Sequence, residues 1–334
     1  MGCVKRFDAH WSTVQKGGED RWTAPPTKDY NKPPKQIKPP PKKSTESITM
    51  TDRAPHEEKW KTQQGIRLTR MCWGDTTGSD TVVLIHHGLG DHAGRYSEVA
   101  ASFQRPGVSV WAYDMRGHGT SDGARGDAEN IDMLVDDLSE LVDDLVRQTG
   151  CKRLFVYGHS VGGLVVARYA TRKMHAAVRG VILSAPCFRA VRTLSVRAKI
   201  ATGRMLNRLL PKLTLANPAD PASISTVPEE QQRYANDPLI HDRLTLRLGT
   251  SLVDDGEATV ALGERVTTPI LAFHGDADGV IDIGATRAFI DAVASSDKKF
   301  WPISACRHEP HHDTAVAKAK LFAELSAWLE ERSV

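Results

Sequence analysis

The sequence predicts an α/β fold: a mostly parallel central sheet with helices on both faces and a helical cap inserted into it. Three observations predict it. From about residue 60, short apolar runs alternate with stretches of helical spacing. At 158–162 the run Gly-His-Ser-Val-Gly stands between one such apolar run and a helix. Between 188 and 240 the alternation stops, as an insertion on top of a sheet would make it.

The elements follow in order. Residues 65–73 alternate like a half-exposed strand. The runs 82–86, 108–113, 153–157, 178–183 and 269–273 read as buried strands, and 298–303 as a last one. Residues 129–148 place Ile131, Leu134, Val135, Leu138, Leu141, Val142 and Leu145 on one helical face. Residues 161–173, 284–294 and 314–332 read as further helices. The expected division is a Pro/Lys-rich tail at 1–55, a core at 56–187 and 241–334, and a cap at 188–240.

Composition limits what the 334 residues can be. They suffice for one large core with an insertion. No apolar run is long enough to cross a bilayer, and the N-terminus lacks the apolar segment of a secretory signal. Five cysteines (Cys3, Cys72, Cys151, Cys187, Cys306) form no C-x-x-C pair, which suits free thiols in the cytoplasm. Residues 1–60 hold 12 Lys and Arg against 8 Asp and Glu, a net of +4; the rest hold 32 against 33, a net of −1. A nearly neutral body argues against nucleic acid as a partner. Met1-Gly2-Cys3 offers Gly2 for myristate and Cys3 for palmitate, although Arg6 stands where Ser or Thr is usual.

The chemistry concentrates in three segments. Ser160 lies in a tight strand-to-helix turn that needs glycine beside it, which is the nucleophile elbow of the α/β-hydrolase fold. A serine needs a base, and in this fold the chain order is Ser, Asp or Glu, then His. Asp278 sits just past the run 269–273, with Asp276 and Asp282 as competitors. Among His308, His311 and His312, His308 is favoured because it lies on the loop before Pro310. The same stretch reads H-E-x-x-H, a zinc pattern, but Pro310 would break the helix that pattern needs, so no metal is expected. The third segment is His86-His87-Gly88-Leu89-Gly90, where the N–H of Leu89, with that of Val161, is placed to hold an oxyanion. Asp114 to Gly119 reads as a structured turn.

Together these pieces resemble the monoacylglycerol lipase and lysophospholipase branch of the α/β-hydrolases. His87 to Tyr96 is similar to that branch's H-G-x-G-E-H-S-G-R-Y, Asp114 to Ser121 to its D-x-R-G-H-G-x-S, Gly158 to Gly163 to G-H-S-M-G-G, and Asp237-Pro238-Leu239 to D-P-L. The resemblance spans about residues 60–332. It implies a triad of Ser160, Asp278 and His308, oxyanion donors Leu89 and Val161, and no cofactor. It further implies that Asp91, Arg95 and His311 hold the alcohol end of a lipid ester. Asp91 and Ala93 depart from the branch's Glu and Ser, which changes the shape of that alcohol pocket. The expected activity is cleavage of monoacylglycerol to fatty acid and glycerol. The alternatives are lysophospholipids or short-chain esters, and a tethered scaffold without catalysis.

Residues 188–219 carry seven Lys and Arg and no acid, beside Met205, Leu206, Leu209 and Leu210 at four-residue spacing. This is a basic amphipathic pattern, suited either to an anionic membrane surface or to packing on the core.

Overall fold

Parallel strands buried on both faces need unbroken apolar runs, and such runs form the middle of one eight-stranded sheet. The computed structural model describes residues 54–217 and 219–333. Residues 1–53 of the Pro/Lys-rich tail, with the expected acylation of Gly2 and Cys3, lie outside the described residues. In chain order the elements are β1 (His56–Lys61), β2 (Arg67–Trp73), β3 (Thr81–His86), α1 (Ser97–Phe103), β4 (Val108–Tyr113), α2 (Ile131–Thr149), β5 (Arg153–His159), α3 (Val161–Ala170) and β6 (Val178–Ser184). The insertion supplies α4 (Leu194–Asn207), β7 (Thr214–Ala216), α5 (Pro221–Ile224), α6 (Pro228–Asn236) and β8 (Arg243–Thr245). The chain closes with α7 (Leu246–Val260), β9 (Ile270–Gly275), α8 (Ile283–Ala292), β10 (Lys298–Ile303) and α9 (Ala315–Arg332).

The sheet order is β1-β2-β4-β3-β5-β6-β9-β10. Strands β4, β3, β5, β6, β9 and β10 pair in parallel, and β2 runs antiparallel to both β4 and β1. Alternation sorts each strand's side chains between two cores. Val82, Leu84, Leu154 and Val156 face the layer that holds α2 and α3. Val83, Ile85, Phe155 and Tyr157 face the layer that holds α1 and α9. Helix α2 shows why its residues choose a helix. Asn130 caps its start by accepting from the Met133 N–H at 2.9 Å, its apolar stripe is buried, and Gly150 ends it at φ 70°.

Four features differ from the expectation, the unmarked helix α7 being one of them. The half-exposed edge strand β1 and the short α1 add elements where the sequence carries too little periodicity to mark them. The excursion from the core runs to Thr245, because β8 pairs with β7 in a two-stranded sheet of its own. The spacing of Met205 with Leu209 and of Leu206 with Leu210 suggests one continuing helix, yet α4 stops at Asn207. Pro211 disfavours helical backbone just before it, so Leu209 and Leu210 lie in a turn. Among the described residues no helix is long and apolar enough to cross a membrane.

Candidate active site

The tips of β3, β5 and β9 converge, and the loops that follow them build the site. Ser160 joins β5 to α3 with φ 52° and ψ −115°, a backbone conformation that side chains rarely adopt. The turn is held by the Ser160 N–H donating to the Ser184 carbonyl at 2.9 Å and by the Cys187 N–H donating to the Ser160 carbonyl at 2.8 Å. Glycine is obligatory beside it. A Cβ on Gly158 would collide with the Gly162 carbonyl, and one on Gly162 with the carbonyls of His86 and His87.

The Ser160 hydroxyl lies 3.0 Å from His308 Nε2, and His308 Nδ1 donates to Asp278 Oδ2 at 2.7 Å. Asp278 is itself fixed: its Oδ1 accepts the N–H groups of Val280 at 2.7 Å and Ile281 at 3.0 Å. Its two competitors have other partners. Asp276 accepts from the Ala305 N–H, and Asp282 caps α8 and pairs with Arg189. Burial pushes the Asp278 carboxyl up, but His308 and His274 more than reverse this and hold it far below the ordinary carboxylate range. Burial pulls the His308 imidazole down, but the Asp278 charge, aided by Glu309 and Asp91, leaves it above the ordinary histidine value.

The Gly88-Leu89-Gly90 loop lies alongside Ser160, close enough that a Cβ on Gly88 would stand 3.3 Å from Ser160 Cβ. Val161 opens α3, so its N–H belongs to the unpaired helix start. The Asp114 turn is structural, with its carboxylate accepting the N–H groups of Ala93 and Thr120 at 2.8 Å each.

Asp91, Arg95 and His311 come close together, but they do not all face the cleft. Asp91 lines a cavity of about 1350 Å³ that also exposes Ser160 and His308. Arg95 and His311 are not in its wall. The Arg95 guanidinium donates to Glu309 through Nη1 at 3.1 Å and Nη2 at 2.7 Å, and to Asp91 Oδ1 at 3.0 Å. It borders a smaller cavity beside His92, Glu230 and Asp237. His311 is fully buried, stacked on Tyr96 at 5.3 Å between ring centroids. Burial pulls its imidazole well down.

Sequence reasoning gave Glu309 no role beyond the zinc pattern, yet it organises this cluster. Glu309, His311 and His312 put ligating atoms within 4.8 Å of one another. Both Glu309 oxygens, however, are engaged by Arg95, and His312 Nδ1 lies 2.7 Å from Oε2. His274 and Tyr234 were also missed. Tyr234 lies on α6, lines the large cavity, and has the Arg95 guanidinium over its ring at 5.0 Å.

A serine that can pass its proton to a histidine already turned by a carboxylate is what nucleophilic acyl transfer requires. Here it stands on the sheet and elbow that the α/β-hydrolases use for this chemistry, and the protein is a serine hydrolase of that fold. Residues 77–315 match the serine aminopeptidase S33 family (Hydrolase_4), and the chain belongs to it. It is 32% identical over 266 residues to a monoacylglycerol lipase of Mycolicibacterium smegmatis, covering 79% of this chain and 93% of the relative. It is also 32% identical over 269 residues to an uncharacterized abhydrolase domain-containing protein of Dictyostelium discoideum, of whose greater length it spans 28%. Among solved structures it is similar to the Paleococcus ferrophilus monoacylglycerol lipase, with a TM-score of 0.71 and 30% identity over 79% of this chain and 99% of that one.

Proposed function

We propose that this hydrolase cleaves the ester of single-chain lipids, monoacylglycerol above all, to fatty acid and the free alcohol. Ser160 attacks the ester carbonyl while His308 takes its proton. The N–H groups of Leu89 and Val161 receive the oxyanion. His308 then protonates the leaving alcohol, and water releases the acyl group from Ser160. Asp278 keeps the His308 proton on Nδ1, so that Nε2 faces the nucleophile. Asp91 meets the alcohol end directly, with Arg95 bonded to it and His311 packed behind on the Tyr96 ring, whose hydroxyl donates to Asp91.

The observation that carries the lipid reading is the cavity over Ser160. Its volume exceeds the roughly 300–1,000 Å³ of sites for drug-sized molecules. The insertion walls it with Val191, Val196, Ile200, Leu206 and Leu244. The relationship to monoacylglycerol lipases supports the same reading. The test is fatty-acid release from long-chain monoacylglycerol, run beside lysophospholipids and acetyl or butyryl esters. Turnover of the short esters alone, with no gain above the lipid's critical micelle concentration, would overturn it.

A cytoplasmic protein that docks on membranes is the reading the cap favours. Helix α4 has no buried residue. Leu194, Met205, Leu209, Leu210, Leu213 and Leu215 are exposed beside the equally exposed Arg197, Lys199, Arg208 and Lys212. We expect the protein to sediment with vesicles containing phosphatidylserine and not with pure phosphatidylcholine, and 0.5 M salt to weaken the binding. Met205→Glu with Leu209→Glu should abolish it while leaving hydrolysis of a dissolved short ester intact. Equal binding to both kinds of vesicle would count against an electrostatic surface.

A further inference from the structure

Asp278 Oδ2 does not serve His308 alone. His274, on β9 four residues before Asp278, lies with Nε2 at 2.9 Å from the same oxygen. Both side chains of this pair are fully buried. A carboxylate oxygen has no proton to give, so Nε2 carries one and donates it. In the neutral ring that choice leaves Nδ1 as an acceptor, and the Thr286 hydroxyl on α8, at 2.9 Å and also buried, then donates to it. The chain of donors therefore runs Thr286, His274, Asp278, with His308 meeting the same oxygen from the other side.

We propose that His274 is a positioning residue for the hydrolase, acting through Asp278 on the basicity and orientation of His308. The inference rests on the triad reading above. Its physical basis is the sharing of one oxygen. A second donor on Oδ2 draws charge away from the His308 bond, and it fixes the carboxylate plane so that His308 Nδ1 has one place to point. Without it, the carboxylate would bind the His308 proton more strongly and hold the ring less firmly. His308 would then stay protonated to higher pH, and a protonated base cannot take the Ser160 proton.

Other charges face the same groups. His159, at the end of β5, stands 4.9 Å from the His308 ring. Asp91 and Glu309 lie on the alcohol side and favour the charged form of His308. Cys187 lies beside Asp278, and burial pushes its thiol up to about 12, so it stays neutral. None of these changes when His274 is replaced, which makes the pH profile a clean readout.

The experiment compares wild type, His274→Met and His274→Gln on a dissolved p-nitrophenyl ester. Methionine fills much of the ring's volume without a donor, whereas the glutamine amide can donate to Oδ2. In His274→Met the acid limb of kcat/KM should move up by about half a pH unit or more. kcat should fall about tenfold with KM unchanged. His274→Gln should bring the limb back toward its wild-type position. An acid limb that stays in place in a folded His274→Met overturns the proposal, whatever happens to kcat. Should His274→Met not fold, imidazole ¹⁵N spectra of the wild type decide. A neutral His274 protonated on Nε2 supports the proposal, and one protonated on Nδ1 overturns it. The two readings fail separately. Wild type that turns over no ester removes the triad reading and this inference with it. Turnover that depends on Ser160, with an unmoved limb in His274→Met, removes this inference alone.

Discussion

Ser160→Ala is expected to lower ester hydrolysis by about 10⁵-fold or more. In the proposed mechanism the Oγ forms the acyl bond and gives its proton to His308, so nothing else in the cleft would replace it. The residue that remains would still hold the ester against the Leu89 and Val161 N–H groups, which alone leaves about 10³–10⁴-fold acceleration over water. The substitution should not harm the fold. Alanine and serine both carry a Cβ, so the strain at φ 52° is unchanged. The hydroxyl's hydrogen bond goes to His308, at a partly exposed position. Initial rates on monoacylglycerol and a thermal melt, taken together, check this. A mutant with normal melting and more than a tenth of wild-type activity would move the nucleophile elsewhere.

The second large effect is on stability in acid. His86, His87, His118, His159 and His311 are all buried, and burial is the main cause that pulls each below the ordinary value. For His86 and His159 the depression reaches about 3. The unfolded chain protonates these rings below about pH 6.5, while the folded chain cannot. A depressed folded value means stability that is present above the unfolded pKa and is lost as pH falls below it. His308 has the opposite sign, because its raised value favours the folded state below pH 6.5, but it is one ring against five. Asp278, Asp91 and Glu309, all held below the carboxylate range, add to the loss further down in acid. At pH 5 His86 and His159, whose values fall to about 3, remove about 2 kcal/mol each. The other three rings add to that loss in the same direction, against an ordinary domain's whole stability of about 5–15 kcal/mol. Urea melts at pH 7.5, 6.5, 6.0 and 5.5 should show the midpoint falling with increasing steepness, and the fold should fail near pH 5. A flat midpoint across that range would mean that the rings gain protons while folded.

The sequence shows the elbow because its geometry is local. Gly158, Ser160 and Gly162 lie within one turn, and the collisions that demand glycine occur inside that turn or with the tip of β3. The buried strands are legible for a similar reason, since a strand covered on both faces has little room for polar residues. The cluster around Arg95 is different. Its partner Glu309 lies 214 residues away along the chain. No spacing reveals that Arg95 is turned toward Glu309 and away from the large cavity. His274 was passed over because a histidine inside an apolar strand reads as core. Helix α7 was not expected because Gly249 and Gly256 interrupt its pattern, and the reason for Gly256 lies elsewhere: a side chain there would press on the Phe188 carbonyl. The end of α4 was misjudged because side-chain spacing spoke for a helix while Pro211 spoke against it.

The insertion is fastened to the core unevenly. At its far end His241 donates its N–H to the Gly90 carbonyl at 3.0 Å, and Thr245 donates to the Gly126 carbonyl at 3.0 Å. Gly90 and Gly126 are bare there because a side chain would strike the carbonyls of His241 and Arg243. At the near end the Val191 N–H donates to the Val280 carbonyl at 2.9 Å, but helix α4 beyond it has no buried side chain and is tied to α7 through the exposed pair Arg204–Asp254. Amide protons in α4 are therefore expected to exchange with solvent deuterium sooner than those of 241–245, which hydrogen-exchange measurements would check. On the proposed lipid reading, the roof over Ser160 is pinned to the core at both ends and least held along α4, and a long acyl chain would find its easiest entry there.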